Sequence, residues 1–310
     1  MKYRQLGNTG LNVSILSYGA SPLGSVFRKI DESEGIRTVY EALDLGINLI
    51  DVSPYYGLTR AETVLGKALR TVPRDRYLLS TKAGRYGADE FDFSAERIVR
   101  SVEESMRRLN VDYIDILHLH DIEFGDLRQI VEESIPALHR LKEQGKIRFH
   151  GITGLPLAIY PKVLDQIQVD TVISYCHFSL NDTTLTQLLP YFAEKGTGVI
   201  NASPLSMGLL SKRGAPEWHP APADIRERCA LAARYCAERG TDIAKLALQF
   251  SVSDERIPTT LTGTANPSNI RNNVRWIEEP IDEELLREVQ EILKPIRNKT
   301  WPSGREENQR

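Results

Sequence analysis

The sequence predicts an α/β protein: a (β/α)8 TIM barrel with a β-hairpin at its floor and an extra C-terminal helix. Three observations carry that expectation. Short, continuously apolar runs alternate with segments of helical period, the runs number eight, and no linker, low-complexity stretch or internal repeat interrupts them. Apolar strands separated by helices argue for a parallel sheet covered on both faces, and eight such units close a barrel. The 310 residues suit one such unit, so residues 1–310 are read as a single domain, with 298–310 as a flexible polar tail.

The elements follow in order. Tyr3–Leu6 and Leu11–Ser14 flank Gly7-Asn8-Thr9-Gly10, a hairpin that caps the barrel floor. The strand-like runs are Ile15–Tyr18, Asn48–Val52, Tyr77–Thr81, Tyr113–Leu119, Ile147–Thr153, Thr171–Tyr175, Gly196–Asn201 and Thr259–Thr262. Asp31-x-x-Glu34 has the form of a capping box ahead of the first helix. In Ser94–Leu109 the residues Ile98, Val102, Met106 and Leu109 recur at helical spacing, a single buried stripe. Leu127, Ile130, Val131, Leu138 and Leu141 repeat that pattern after the fourth strand, and Gly145 stands where a C-terminal cap is wanted. Two connections, Pro204–Pro222 after the seventh strand and aromatic-rich Tyr86–Phe93 after the third, fall on the face where barrel sites are built.

Composition excludes several function classes. Lys plus Arg number 39 against 42 Asp plus Glu, a net charge of −3. There is no polybasic footprint, so neither nucleic acid nor a membrane is an expected partner. No window approaches the roughly 18 apolar residues of a membrane span, and Met1–Asn12 lacks the pattern of a signal peptide. Cys176, Cys229 and Cys236 cannot all pair and form no CxxC, which suits reduced thiols in a cytoplasmic protein.

In a barrel, chemistry belongs to polar residues at strand C-termini. The second strand ends in Asp51, with Tyr56 following in Asp-Val-Ser-Pro-Tyr-Tyr-Gly; the third ends in Lys82 and the fourth in His120. Adjacent strands lie about 4.8 Å apart, so these side chains can converge. A carboxylate, a phenol, an ammonium and an imidazole together form a proton-transfer group. The Lys82 ammonium is expected to favour the Tyr56 phenolate and lower its pKa, with Asp51 holding the lysine charged.

Asp51, Tyr56, Lys82 and His120, each in its strand context, resemble the tetrad of the aldo-keto reductases. The likeness spans nearly the whole chain, from Leu6-Gly-Asn-Thr-Gly-Leu11 to Ile257–Val274. Segments such as Gly19-Ala-Ser-Pro-Leu-Gly-Ser25, His120-Asp-Ile-Glu-Phe-Gly125 and Pro216-Glu-Trp-His-Pro220 resemble the branch that oxidises L-galactose or L-fucose at C1. The resemblance implies hydride transfer from the sugar C1 to a nicotinamide, giving a lactone. Tyr56 would be the acid–base residue, Lys82 and Asp51 its tuners, and His120 the group orienting the reacting oxygen. Tyr55, His120 and Trp218 would face the sugar.

The resemblance also implies cofactor contacts. Thr153 and Gly154 stand where the family usually has Ser-Asn on the carboxamide, although Gly154 offers no side chain. Ser174 or Tyr175 holds the next strand's contact position. Ser203 and Leu205 match the segment along the pyrophosphate, and Gly263, Thr264, Asn269 and Asn273 match the adenosine-binding segment. Members selecting NADP carry a lysine at the position of Gly263 and an arginine at that of Asn269. Neither charge is present, and Arg271 is expected to turn away from the ribose, so NAD is the expected cofactor. Other readings are an NADPH-dependent aldehyde or ketone reductase, a non-enzymatic nucleotide-binding barrel, and a metal-dependent barrel hydrolase. The last would use His118 and His120, which point the same way on a strand, with His150 and His177 nearby. The reading taken has no metal; His118 and His150 are expected to pack inside the barrel.

Overall fold

The computed structural model describes residues 1–309. Eight parallel strands close a barrel: β3 (Leu16–Gly19), β4 (Leu49–Asp51), β5 (Leu78–Ala83), β6 (Ile114–Leu119), β7 (Ile147–Gly154), β8 (Thr171–Tyr175), β9 (Gly198–Ala202) and β10 (Thr259–Thr262), with β10 beside β3. Ahead of them β1 (Tyr3–Gln5) and β2 (Asn12–Ser14) form the antiparallel hairpin. Its buried Leu6, Leu11 and Val13 pack against Leu49, Ile116, Ile173, Ile200 and Leu261, so the hairpin plugs the barrel floor.

Alternation along each strand then builds the interior upward. Above that apolar layer the interior turns polar, with the buried Ser80, His118, Asp51, Lys82 and His120. His118 is held on both ring nitrogens, Nδ1 at 3.2 Å from Ser80 Oγ and Nε2 at 3.0 Å from Thr171 Oγ1. His150 does not share that interior. Its strand neighbour Phe149 packs with the inner layer, so His150 turns outward, its ring centroid 4.7 Å from that of His139.

Local sequence explains most of the helices. Asp31 accepts the Glu34 amide at 2.8 Å and starts Glu32–Asp44; Ser94 accepts that of Arg97 and starts Ala95–Leu109, which buries Ile98, Val102 and Leu109. The segment after β6 is not one regular helix. A π-turn over Ile130–Ser134 separates Leu127–Gln129 from Ile135–Glu143, because Pro136 has no amide to continue the ladder. Among the described residues, no helix is long and apolar enough to cross a membrane.

Over its described residues, 298–309, the expected flexible tail is instead docked, residue 310 lying outside them. Trp301 is buried with its ring 4.9 Å from that of His219, Ser303 donates to Glu123 Oε1 at 2.8 Å, and Asn308 Nδ2 donates to the carbonyls of Glu123 and Gly125. The polarity that suggested solvent supplies these donors, and Trp301 supplies the apolar anchor.

Candidate active site

Strand register and the turn after β4 bring the four sequence-selected residues to one point. Asp51 is level with Ser80 and Lys82 with His118, so the lysine can reach back across the strand pair. Lys82 Nζ donates to Asp51 Oδ2 at 2.5 Å and to the Val52 carbonyl at 2.9 Å, and Ser80 Oγ donates to Asp51 Oδ1 at 2.8 Å. Burial works against the Lys82 charge, but Asp51 and Tyr56 outweigh it and hold its pKa above the ordinary lysine value.

Tyr56 arrives from the turn after β4. Gly57 adopts φ +63°, and a Cβ there would sit 2.1 Å from the Gly24 carbonyl oxygen; a Cβ at Gly24 would meet the Tyr56 carbonyl oxygen at 2.5 Å. Two glycines back to back therefore let the turn bearing Tyr56 press against Ser21–Gly24. The phenol ring lies 5.0 Å from Lys82 Nζ and meets His120 edge-on at 5.6 Å. Its pKa is not lowered as the charge count suggests. Burial of the phenol, reinforced by Asp51 and Asp121, exceeds the pull of Lys82 and pushes it up to about 12.

His120 is a neutral imidazole. Burial, aided by Lys82 and Arg85 and opposed by Asp121, brings its pKa down to about 3. Ser53 Oγ accepts the Tyr55 amide at 3.1 Å and lies 3.0 Å from His120 Nδ1, so its hydroxyl proton is free to point at that nitrogen. That assignment leaves Nε2 protonated and facing the mouth as a donor.

Several residues here escape sequence reading. Ser53 fixes the imidazole, and Arg85 donates to Asp121 Oδ2 at 2.6 Å beside Tyr55. Glu123 is buried next to Gly154. Its Oε1 accepts from Leu155 N and Ser303 Oγ, its Oε2 has no partner among the described residues, and burial beside Asp121 pushes its pKa up to about 8. The only available signal was position: Asp121 and Glu123 follow His120 directly, and Arg85 follows the β5 terminus.

The expected cofactor residues fall into three groups. Thr153 Oγ1 accepts the Asp121 amide at 2.9 Å, while a side chain at Gly154 would collide with Ile159 and Glu123 Oε2. Ile173 packs in the inner layer, so by alternation Ser174 faces the helices and Tyr175 the mouth, its hydroxyl 3.4 Å from Glu123 Oε1. After β9, Ser203, Ser206 and Met207 all take positive φ around Leu205, whose carbonyl accepts the Gly208 and Leu210 amides. After β10, Thr264 Oγ1 accepts from Asn269 Nδ2 at 3.3 Å, and Asn273 Nδ2 lies 3.5 Å from Thr262 Oγ1.

Arg271 is held elsewhere, donating to Glu41 Oε2 at 2.7 Å. Glu34 accepts from Asn266 Nδ2 at 2.7 Å, which places a carboxylate beside this segment. Trp218 is 53% exposed and leans on Phe27 at 5.8 Å. Among the described residues, no three His, Cys, Asp or Glu side chains gather as a metal site.

Comparison with known proteins matches this architecture. An L-galactose dehydrogenase from Arabidopsis thaliana is 52% identical over 317 residues, covering 99% of this chain and 99% of that protein. A D-arabinose 1-dehydrogenase from Saccharomyces cerevisiae is 36% identical, over 78% of this chain and 76% of its own. A solved aldo-keto reductase from Bacillus halodurans superposes with a TM-score of 0.80 at 28% identity, covering 100% of both chains. The model of the aldo/keto reductase family matches residues 15–294, and the chain belongs to that family.

Proposed function

We propose that the protein oxidises an L-sugar of the L-galactose configuration, or its 6-deoxy relative L-fucose, at C1 to the lactone, with NAD as cofactor. The observation that carries this is the end-to-end match to an L-galactose dehydrogenase on a chain whose Asp51, Tyr56, Lys82 and His120 converge. A nicotinamide held beside Thr153 and Tyr175 would supply the hydride acceptor for C1. His120 Nε2–H donates to the anomeric oxygen and holds it beside the Tyr56 oxygen, which takes the hydroxyl proton as the C1 carbonyl forms. A phenol held near 12 is a strong base once ionised and scarce as phenolate at neutral pH. Lys82 limits that rise, and Asp51 keeps Lys82 in place.

Thr153, Tyr175, Ser203 and Leu205 would line the nicotinamide and pyrophosphate, and Thr264, Asn269 and Asn273 the adenosine. The residues after β10 suit a dinucleotide without a 2′-phosphate. They are neutral, Arg271 is tied to Glu41, and a Cβ at Gly263 would already press on the Gly19 carbonyl oxygen at 3.0 Å. Losing two charge-assisted bonds of about 1.5–3 kcal/mol each supports a preference of a hundredfold or more for NAD.

A panel of aldoses with NAD⁺ and NADP⁺ tests the proposal. L-galactose or L-fucose with NAD⁺ should give the highest kcat/KM. Reduction of simple aldehydes with NADPH, and no sugar turnover, would overturn it.

A further inference from the structure

A second ion pair, largely enclosed, stands beside the first and exchanges no proton in the reaction described above. Arg85 is enclosed by aromatic faces, its guanidinium 4.0 Å from the Tyr55 ring, 5.1 Å from Phe91 and 5.3 Å from Phe124, and those two phenyl rings stack at 4.4 Å. Four of its five N–H donors are engaged: Nε with the Gly87 carbonyl, Nη2 with the Ala88 carbonyl and Tyr55 hydroxyl, and Nη1 with Asp121 Oδ2. Most of its hydrogen-bonding capacity thus goes to its own cage. Arg85 is a positioning residue, and what it positions is a carboxylate.

Asp121 takes a left-handed backbone, φ 53°, a conformation unusual for a residue that is not glycine, and is 4% exposed. Its amide donates to Thr153 Oγ1, and that hydroxyl lies 3.3 Å from Asp121 Oδ1. Burial would push its pKa up, but the Arg85 and Lys82 cations oppose burial, and its pKa is held below the ordinary carboxylate value. A carboxylate has about four acceptor sites, so Arg85 and Thr153 leave some unused. Asp121 Oδ2 lies 3.6 Å from His120 Nε2, the nitrogen that faces the reacting oxygen.

We infer that Asp121, held by Arg85, accepts a hydrogen bond from the sugar hydroxyl on the carbon adjacent to the reacting one. The inference rests on the sugar oxidation proposed above. Oxygens on adjacent ring carbons are separated by about one hydrogen-bond length. An oxygen on His120 Nε2 therefore brings its C2 neighbour to Asp121 Oδ2. The other oxygen bonded to C1 is the ring ether, which has no proton to give and is repelled by a carboxylate. Asp121 thus selects which side of the ring faces it and disfavours substrates that leave it unpaired.

The test compares kcat/KM for L-galactose and 2-deoxy-L-galactose in the wild type, Asp121→Asn and Asp121→Ala, each with NAD⁺ affinity and thermal melting as controls. Intrinsic reactivity differences between the two sugars are common to all three enzymes and cancel. The wild type should prefer the 2-hydroxyl sugar by about 10²-fold or more, as sites built around a substrate hydroxyl do. Asp121→Asn should narrow the ratio about tenfold, as the charge-assisted bond becomes neutral. Asp121→Ala should narrow it by about 10²-fold, leaving only the intrinsic difference between the sugars; if that variant does not fold, the Asn variant decides. Unchanged ratios with sugar turnover intact, or a loss confined to NAD⁺ affinity, would overturn the inference alone. Absence of turnover with any sugar would overturn the proposed function, and the inference with it.

Discussion

The proposed catalytic cluster at the ends of β4, β5 and β6 and the segment after β10 are built on opposite principles. The first holds two buried ion pairs, Lys82–Asp51 and Arg85–Asp121, around a neutral imidazole and a neutral phenol. The second uses neutral hydroxyls and amides on a turn and the start of the helix Pro267–Glu278, with its one arginine near that start pinned to Glu41. Buried charges tolerate no looseness, because an unpaired one is costly: strand register fixes Lys82 on Asp51, and the loops just past β5 and β6 fix Arg85 on Asp121. Neutral groups need only be within reach.

The comparison breaks hardest at Tyr56. Tyr56→Phe removes one oxygen, and general acid–base groups contribute about 10²–10⁴-fold, so turnover should fall by that factor while NAD⁺ affinity stays put. Wild-type turnover in this variant would end the assignment. Lys82→Met should cost about 3–5 kcal/mol of stability, read by denaturant unfolding, because Asp51 is left buried without its partner. It should also move the pH profile. Oxidation needs the phenolate, so its rate rises with pH; removing the cation that opposes the raised Tyr56 pKa should shift that rise to still higher pH.

Much of this was legible in sequence, for specific reasons. Asp51, Lys82 and His120 could be found because a strand's period is two and its C-terminal end is marked by the switch to turn residues. Asp121, Arg85 and Ser53 could not. Their roles depend on loops crossing between strands, with 36 residues separating Arg85 from its carboxylate. The direction of the Tyr56 shift was missed because sequence shows neighbouring charges but not how dry the pocket is. The choice between Ser174 and Tyr175 turned on a single residue of register, which flips a side chain from mouth to helix layer.

Sharpening the other half of the comparison calls for a charge. Asn269→Arg should raise kcat/KM with NADP⁺ by about tenfold, one charge-assisted bond's worth, and change NAD⁺ use little. No gain would mean that the 2′-position lies elsewhere. The smallest expected effect concerns Glu123. Its pKa is raised to about 8 in the folded protein, so the unfolded chain ionises first, and the stability present below the unfolded pKa is progressively lost as pH rises to 8. Glu123→Gln should remove that loss. Its melting temperature relative to wild type should be a few degrees higher at pH 8 than at pH 5, whereas a constant difference would show that the carboxyl does not titrate there.

The central claim is that the electrons leave the sugar at C1 for the nicotinamide. L-galactose carrying deuterium at C1, turned over with NAD⁺, tests it most directly. The account predicts deuterium in the reduced nicotinamide, slowed turnover from the C–D bond, and an unlabelled lactone as product. Deuterium retained in the sugar product, or reduced cofactor free of label, would contradict it.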